Sequence, residues 1–184
     1  MAEFGFGTGG AAARELLIAY LNVGTAAEPV WAPLGRRVTD SSERFDWEEE
    51  SGQDILGGVY TSMKKPIISQ SFEAWELTGG DAAQEKIYNL AVVEQDAPAL
   101  SSQDMLIAHF YTGTGGSGGF AERYSACAVR PEGIGGEGGG SLVMDVRVTY
   151  GGTRTVGTVS RADGTVCFTP AVSTGGIEDG GDPL

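Results

Sequence analysis

Histidine is almost missing from this chain, and cysteine is nearly as scarce. One histidine and two cysteines occur among 184 residues. With His109 alone, most zinc hydrolase and metalloprotease arrangements are out of reach, because they place several imidazoles on one metal. Cys127 and Cys167 cannot complete a four-ligand structural zinc site by themselves. Each lies in a strand-like segment, where a buried free thiol is expected rather than a disulfide. Positive charge is also thin: 12 Lys and Arg stand against 25 Asp and Glu, a net charge of −13 and a pI near 4.3. Basic residues cluster no further than the pairs Arg36-Arg37 and Lys64-Lys65. Proteins that grip nucleic acid or an anionic membrane concentrate Lys and Arg, so the composition argues against both. Long apolar runs are absent too, with nothing near the roughly 20 residues that cross a bilayer. The stretch 1–13 has no basic start followed by an apolar core, so it does not read as a secretory signal. A chain made in a bacterial cytoplasm fits these features.

Glycine, by contrast, is abundant, with 30 residues. It clusters at Gly5–Gly10, Gly113–Gly119, Gly133–Gly140 and Gly175–Gly181. Glycine loses more backbone entropy on ordering than any other residue, so such clusters read as loops and tails. The segments between them read mostly as β. Glu15–Val23 is a first strand, buried on both faces. Pro29–Gly35 and Arg37–Asp40 form an irregular second element, and Pro66–Leu77 is a long strand. Trp75 falls on the polar side of that strand, which calls for either a bulge or a subunit contact. Asp81 and Gln84 have the spacing of a helix cap. After them Ala83, Ile87, Leu90 and Ala91 mark one apolar stripe on a helix over 81–95, with Pro98 just beyond. Strands then follow at Asp104–Thr112, Phe120–Arg130, Ser141–Tyr150, Thr153–Ser160 and Thr165–Thr169. In Ser141–Tyr150, Leu142, Met144, Val146, Val148 and Tyr150 alternate with Asp145, Arg147 and Thr149. The Gly151-Gly152 pair marks a hairpin. The expected fold is mainly β: one antiparallel β-sandwich or half-barrel over 14–170, of about seven strands with one flanking α-helix. A flexible N-terminal arm (1–13) and a flexible acidic tail (171–184) complete the expected organisation.

Motifs that would carry chemistry are few. His109 sits inside the apolar string LIAHFYT and reads as a packed strand residue. The run from Gly113 to Gly119 lacks the Lys-Ser/Thr of a phosphate loop and does not open a helix. Glu48-Glu49-Glu50 and Asp54 lack the alternate spacing of a calcium loop and read as a solvated acidic stretch. Any two carboxylates could meet as a glycoside-hydrolase pair, yet nothing in the sequence selects one. No catalytic, cofactor-binding or metal residues are assigned, and no cofactor is expected.

Ser41–Met63 is more informative. It is polar and acidic but carries Phe45, Trp47, Ile55, Leu56, Val59 and Tyr60. A solvated loop has no use for so many large apolar groups, and long loops in compact domains are usually functional. Either an arm docking on a neighbouring subunit or an arm folded back on its own domain accounts for them.

The order LLIAYLNVG, EPVWAPLGRRVTD, an acidic stretch and KKPIISQSFEAWEL resembles the opening of bacteriophage major tail (tail tube) proteins. The capped helix at Asp81 and the later strands follow the same layout. The resemblance implies a β-sandwich virion protein assembling into hexameric rings, stacked as a hollow tube through which DNA is ejected. It also implies that residues 41–63 form the long inter-subunit loop. The implied partners are copies of the chain itself and the tail terminator, tape measure and distal tail proteins. DNA would pass without being bound, and no membrane is involved. A channel lined with carboxylates repels phosphate over a screening distance of about 8–10 Å. Glu73, Glu76, Glu122 and Asp145, on polar strand faces, are therefore the lumen-lining candidates, some of which are expected to face the channel. Two further readings remain open: the tube of a contractile tail or tailocin, and a β-sandwich adhesin or carbohydrate-binding module. A small hydrolase is a third, and it would need carboxylates converging in a pocket.

Overall fold

The computed structural model describes residues 10–171. Most of the expected N-terminal arm and the acidic tail from residue 172 lie outside the described residues. A 3-10 turn at Arg14–Leu16 leads into β1 (Leu17–Asn22), then β2 (Trp31–Pro33) and β3 (Glu43–Asp46). Next come β4 (Glu49–Gln53), β5 (Val59–Met63) and the long β6 (Ile67–Glu76). Helices α1 (Ala82–Tyr88) and α2 (Ala97–Leu100) follow. The chain then runs through β7 (Gln103–His109), β8 (Gly118–Gly135), β9 (Val143–Tyr150), β10 (Arg154–Ala162) and β11 (Thr165–Pro170). The architecture is mainly antiparallel β with a flanking helical segment, as the strand patterns predict. Four strands exceed the expected set: β2, which is very short, and β3, β4 and β5, all within the polar stretch 41–63.

Strand β8 organises the fold. Its first half pairs with β7 on one edge and β10 on the other, while its second half pairs with β9. One nine-stranded sheet results, in the order β2-β1-β7-β8-β9-β6-β3, with β10 and β11 branching from β8. Its register shifts at Pro131/Gly133, a bulge that accommodates a proline with no N–H to donate. The two wings of the sheet enclose the larger core, which includes Leu21, Phe72, Trp75, Met105, Ile107, Val146 and Val148. A second core lies on the other side of the β1–β7 wing, around Tyr20, Trp31, Leu106, Phe110 and Val159. Both faces of β7 are therefore covered, which explains its nearly unbroken apolar sequence.

Trp75 is fully buried. Phe72 pairs with Val146 and Trp75 with Met144, so an extra residue of β6 is accommodated between them. Ala74 takes a left-handed backbone at φ +51°, and the Asp145 Oδ1 accepts its N–H at 2.7 Å. That bulge turns Trp75 from the solvent face to the core, so the bulge alternative holds.

The helix begins where expected, but its regular part is shorter. Asp81 accepts from the N–H groups of Ala83 and Gln84, the usual N-cap bonding. Gln84 does not return to Asp81; its Oε1 accepts from Thr78 N and its Nε2 donates to Glu76 O. Ala83 and Ile87 are buried, but the stripe fades at Leu90 and Ala91, where the chain enters a π-helical turn at Asn89–Val93. The wider turn rotates those side chains off the 3.6-residue face. Pro98 lies just beyond this helical segment, as expected. It sits in the first turn of α2, a tolerated position. Cys127 is buried as expected, whereas Cys167 is exposed; both are free. Burial pushes the Cys127 thiol up to about 12.

Candidate functional site

The segment 41–63 divides into two parts with opposite behaviour. Strand β3 pairs with β6, with Phe45 opposite Ile68, so the arm does fold back at its start. Among the described residues, strands β4 and β5 pair only with each other, as a separate two-stranded sheet. Asp54 closes their turn, its Oδ1 accepting from Leu56 N and Gly58 N at 2.8 Å each. Gly57 supplies the left-handed residue at φ +83°. Tyr60 lies across Gly52, where an added Cβ would come within 2.5 Å of the tyrosine hydroxyl. Lys64 bridges to Glu48 at 2.7 Å and to Glu50 at 3.6 Å.

These devices shape the hairpin without burying it. Ile55 is 103% and Leu56 90% exposed, and Val59, Tyr60, Trp47 and Phe45 are each at least half exposed. All six arm residues singled out from the sequence thus present apolar surface, and Ile55 and Leu56 form the tip. An isolated two-stranded hairpin is marginal in water. Burying one such aliphatic side chain is worth about 1.5–3 kcal/mol, which makes the tip a favourable contact surface.

The four carboxylates expected to line a channel have different fates. Glu73 is exposed and has no ion pair among the described residues. Glu76 accepts from Arg37 and Ser141, both at 2.9 Å, and the Arg37 hydrogen bond leads the effects holding its carboxyl below the usual range. Asp145 receives the Ala74 N–H at the bulge. These three sit together near the end of β6. Glu122 departs from the expectation, because it is buried at 6% exposure and offers no free carboxylate to solvent. It lies opposite Ile107 in the β7–β8 ladder, on the core side of the sheet rather than on a polar outer face.

Around Glu122 is a cluster that the sequence reading missed. Tyr124 donates to its Oε2 at 2.8 Å, Arg154 donates to the same oxygen at 2.5 Å, and His109 Nε2 lies 3.1 Å from Oε1. A carboxylate only accepts, so Nε2 carries the proton and, in the neutral ring, Nδ1 accepts from the Tyr111 hydroxyl at 2.7 Å. Burial alone would raise the Glu122 carboxyl, but the donors His109, Arg154 and Tyr124 outweigh it and hold it at about 2. Burial, reinforced by Glu122, pushes Tyr124 well above its ordinary range. Burial also raises Glu43, and the negative charge of Glu122 adds to that. Both Glu122 oxygens are engaged and its side chain is 7% exposed, so the cluster works as a polar clamp between β7, β8 and β10. One signal in the sequence could have located it: closing the hairpin across Gly113–Gly119 brings His109 near Phe120 and hence near Glu122.

No protein-family model and no curated protein matches the chain. Solved structures with a similar chain path include the tube-terminating cap of the anti-feeding prophage, at 12% identity and a TM-score of 0.46, covering 85% of this chain and 96% of that one. A chain of the sheath/tube terminator of the PVC extracellular contractile injection system is similar at 10% identity and 0.47, covering 85% and 100%. A chain of the PVC sheath–tube complex is similar at 9% identity and 0.44, covering 79% and 88%.

Proposed function

We propose that this chain is a structural subunit that assembles with copies of itself into stacked rings of a phage-tail-like tube, hexameric as the resemblance in its sequence implies. The observation that carries the reading is the hairpin β4–β5, which holds Ile55 and Leu56 in solvent on a sheet of only two strands. Outer edges on β2, β3 and β11 that no strand among the described residues pairs with support it. A subunit that pairs such edges around a closed ring removes the aggregation hazard they pose. Terminator, tape measure and distal tail proteins would cap and fill the tube. DNA would traverse it without binding, past Glu73, Glu76 and Asp145 on the channel wall.

The purified protein should form hollow rings or tubes in negative-stain electron microscopy, with Leu56→Asp reducing their number at equal concentration. Persistent monomers at every concentration, accompanied by affinity for a glycan, would overturn the proposal in favour of a β-sandwich binding module. Neutralising Glu73, Glu76 and Asp145 should leave tubes intact and slow DNA ejection; unchanged ejection would remove the acidic-channel element alone.

A further inference from the structure

We infer that the tip of the β4–β5 hairpin docks in the groove beside Arg36 on a second copy of the chain. This rests on the self-assembly reading and names where the contact falls. The groove has a volume of about 470 Å³ and is lined by Leu17, Leu34, Val38 and Phe72, with two cations, Arg14 and Arg36, and one carboxylate, Glu15, among its polar residues. Arg14 is held by the carbonyls of Leu17 and Ser41, at 2.7 and 2.6 Å. Neither arginine forms an ion pair with a carboxylate among the described residues. In a chain of net charge −13, two arginines beside an apolar floor, Arg14 acting on the Glu43 carboxylate and Arg36 exposed, are a distinctive pairing.

The hairpin has the complementary composition. Its two most exposed residues, Ile55 and Leu56, are aliphatic, and its first strand and turn carry Glu49, Glu50 and Asp54, with Glu48 just before. Lys64 is the cation that pairs with two of these acids. Apolar tip would meet apolar floor while acidic flank met arginine, the complementarity that favours encounter and fixes orientation.

Topology gives the contact its direction. The hairpin leaves the β3–β6 pair at Asp46 and Ile67, whereas the groove reaches that pair at Ser41, Gln70 and Phe72. Each copy thus carries the tip towards one end of β6 and the groove towards the other, and among the described residues nothing covers Ile55 or more than a small part of Leu56. A contact between two different surfaces is head-to-tail, so it propagates into a ring or a stack rather than closing as a dimer.

The test uses two preparations of the full chain, both carrying Cys167→Ser to remove the exposed thiol. One also carries Leu56→Cys at the tip and the other Thr39→Cys at the exposed rim of the groove. Under mild oxidation the mixture should yield disulfide-linked pairs about tenfold above either preparation alone. Arg36→Glu on the groove copy should lower that yield about tenfold, and Glu49→Arg on the tip copy should restore it. Circular dichroism checks that each variant is folded. If the unmodified chain oligomerises in a Leu56-dependent way but no mixed pair forms, the groove assignment is overturned and the hairpin reading stands. If the chain stays monomeric and unlinked at every concentration, both are overturned.

Discussion

The body and the β4–β5 hairpin are built from the same chemistry to opposite ends. In the body, Trp75, Met105 and Met144 are at 0% exposure, and even the carboxylate of Glu122 is enclosed by donors. In the hairpin every residue of β5 is exposed, and so are all of β4 but Gly52. Local devices hold it instead: the Asp54 turn, the Tyr60 ring over Gly52 and the Lys64 bridges. Apolar side chains in the body are buried in its cores; those in the hairpin stand in solvent, where the proposed contact would bury them. Substitutions in the two regions should therefore separate cleanly in what they change.

The largest effect belongs to the body. Trp75→Ala removes the biggest fully buried side chain and should destabilise the fold by about 3–5 kcal/mol, read as a lowered denaturation midpoint. Loss of less than about 1 kcal/mol would mean that the bulge does not seat the ring as described.

Glu122→Gln comes next. It should cost about 1–3 kcal/mol at neutral pH, as a charged acceptor for three donors is lost. It should also change the acid limb of the stability curve. A carboxyl held at about 2 in the fold, against an ordinary value of 4.5, stabilises the native state above 4.5 and loses that stabilisation as pH falls from 4.5 towards 2. The variant should show a shallower decline across that window; equal slopes would exclude Glu122 as the titrating group.

Asp145→Ala should cost about 1 kcal/mol, because the bulge loses the acceptor for the Ala74 N–H. Leu56→Asp should change stability least, by no more than about 0.5 kcal/mol, while depressing assembly. A tip variant that unfolds the body would erase the contrast between the two regions.

Much of the body could be read from residues alone. The alternation from Met144 to Tyr150 marks the core face of β9, and Asp81 marks the helix start, because both signals are local. His109 is packed, as its apolar neighbours imply. Trp75 was ambiguous because a single inserted residue inverts every later side chain, and nothing in the sequence forces the insertion at Ala74. Strands β3, β4 and β5 escaped notice because their sequences, ERFD, EESGQ and VYTSM, are mostly polar or lack alternation with a buried face. The hairpin across Gly113–Gly119 hints at the approach of His109 to Glu122, but the burial of Glu122 also depends on Arg154 from β10, and long-range pairing of that kind leaves no local trace.

Strand β8 has a consequence for how the chain matures. Strand β1 pairs locally with the short β2, but its inner neighbour is β7, and the inner neighbour of β6 is β9, each across a long stretch of sequence. During synthesis the inner edges of β1 and β6 therefore wait unpaired until β7 and β9 have emerged. The β4–β5 hairpin, closed by a short turn, can form in microseconds, long before the sheet around β8. The part of the molecule suited to meeting another copy would then be ready before the groove it is proposed to fill. On the proposed contact, premature association would be limited by the late completion of that receiving surface, and the pace of β8 pairing would act as a timer for assembly.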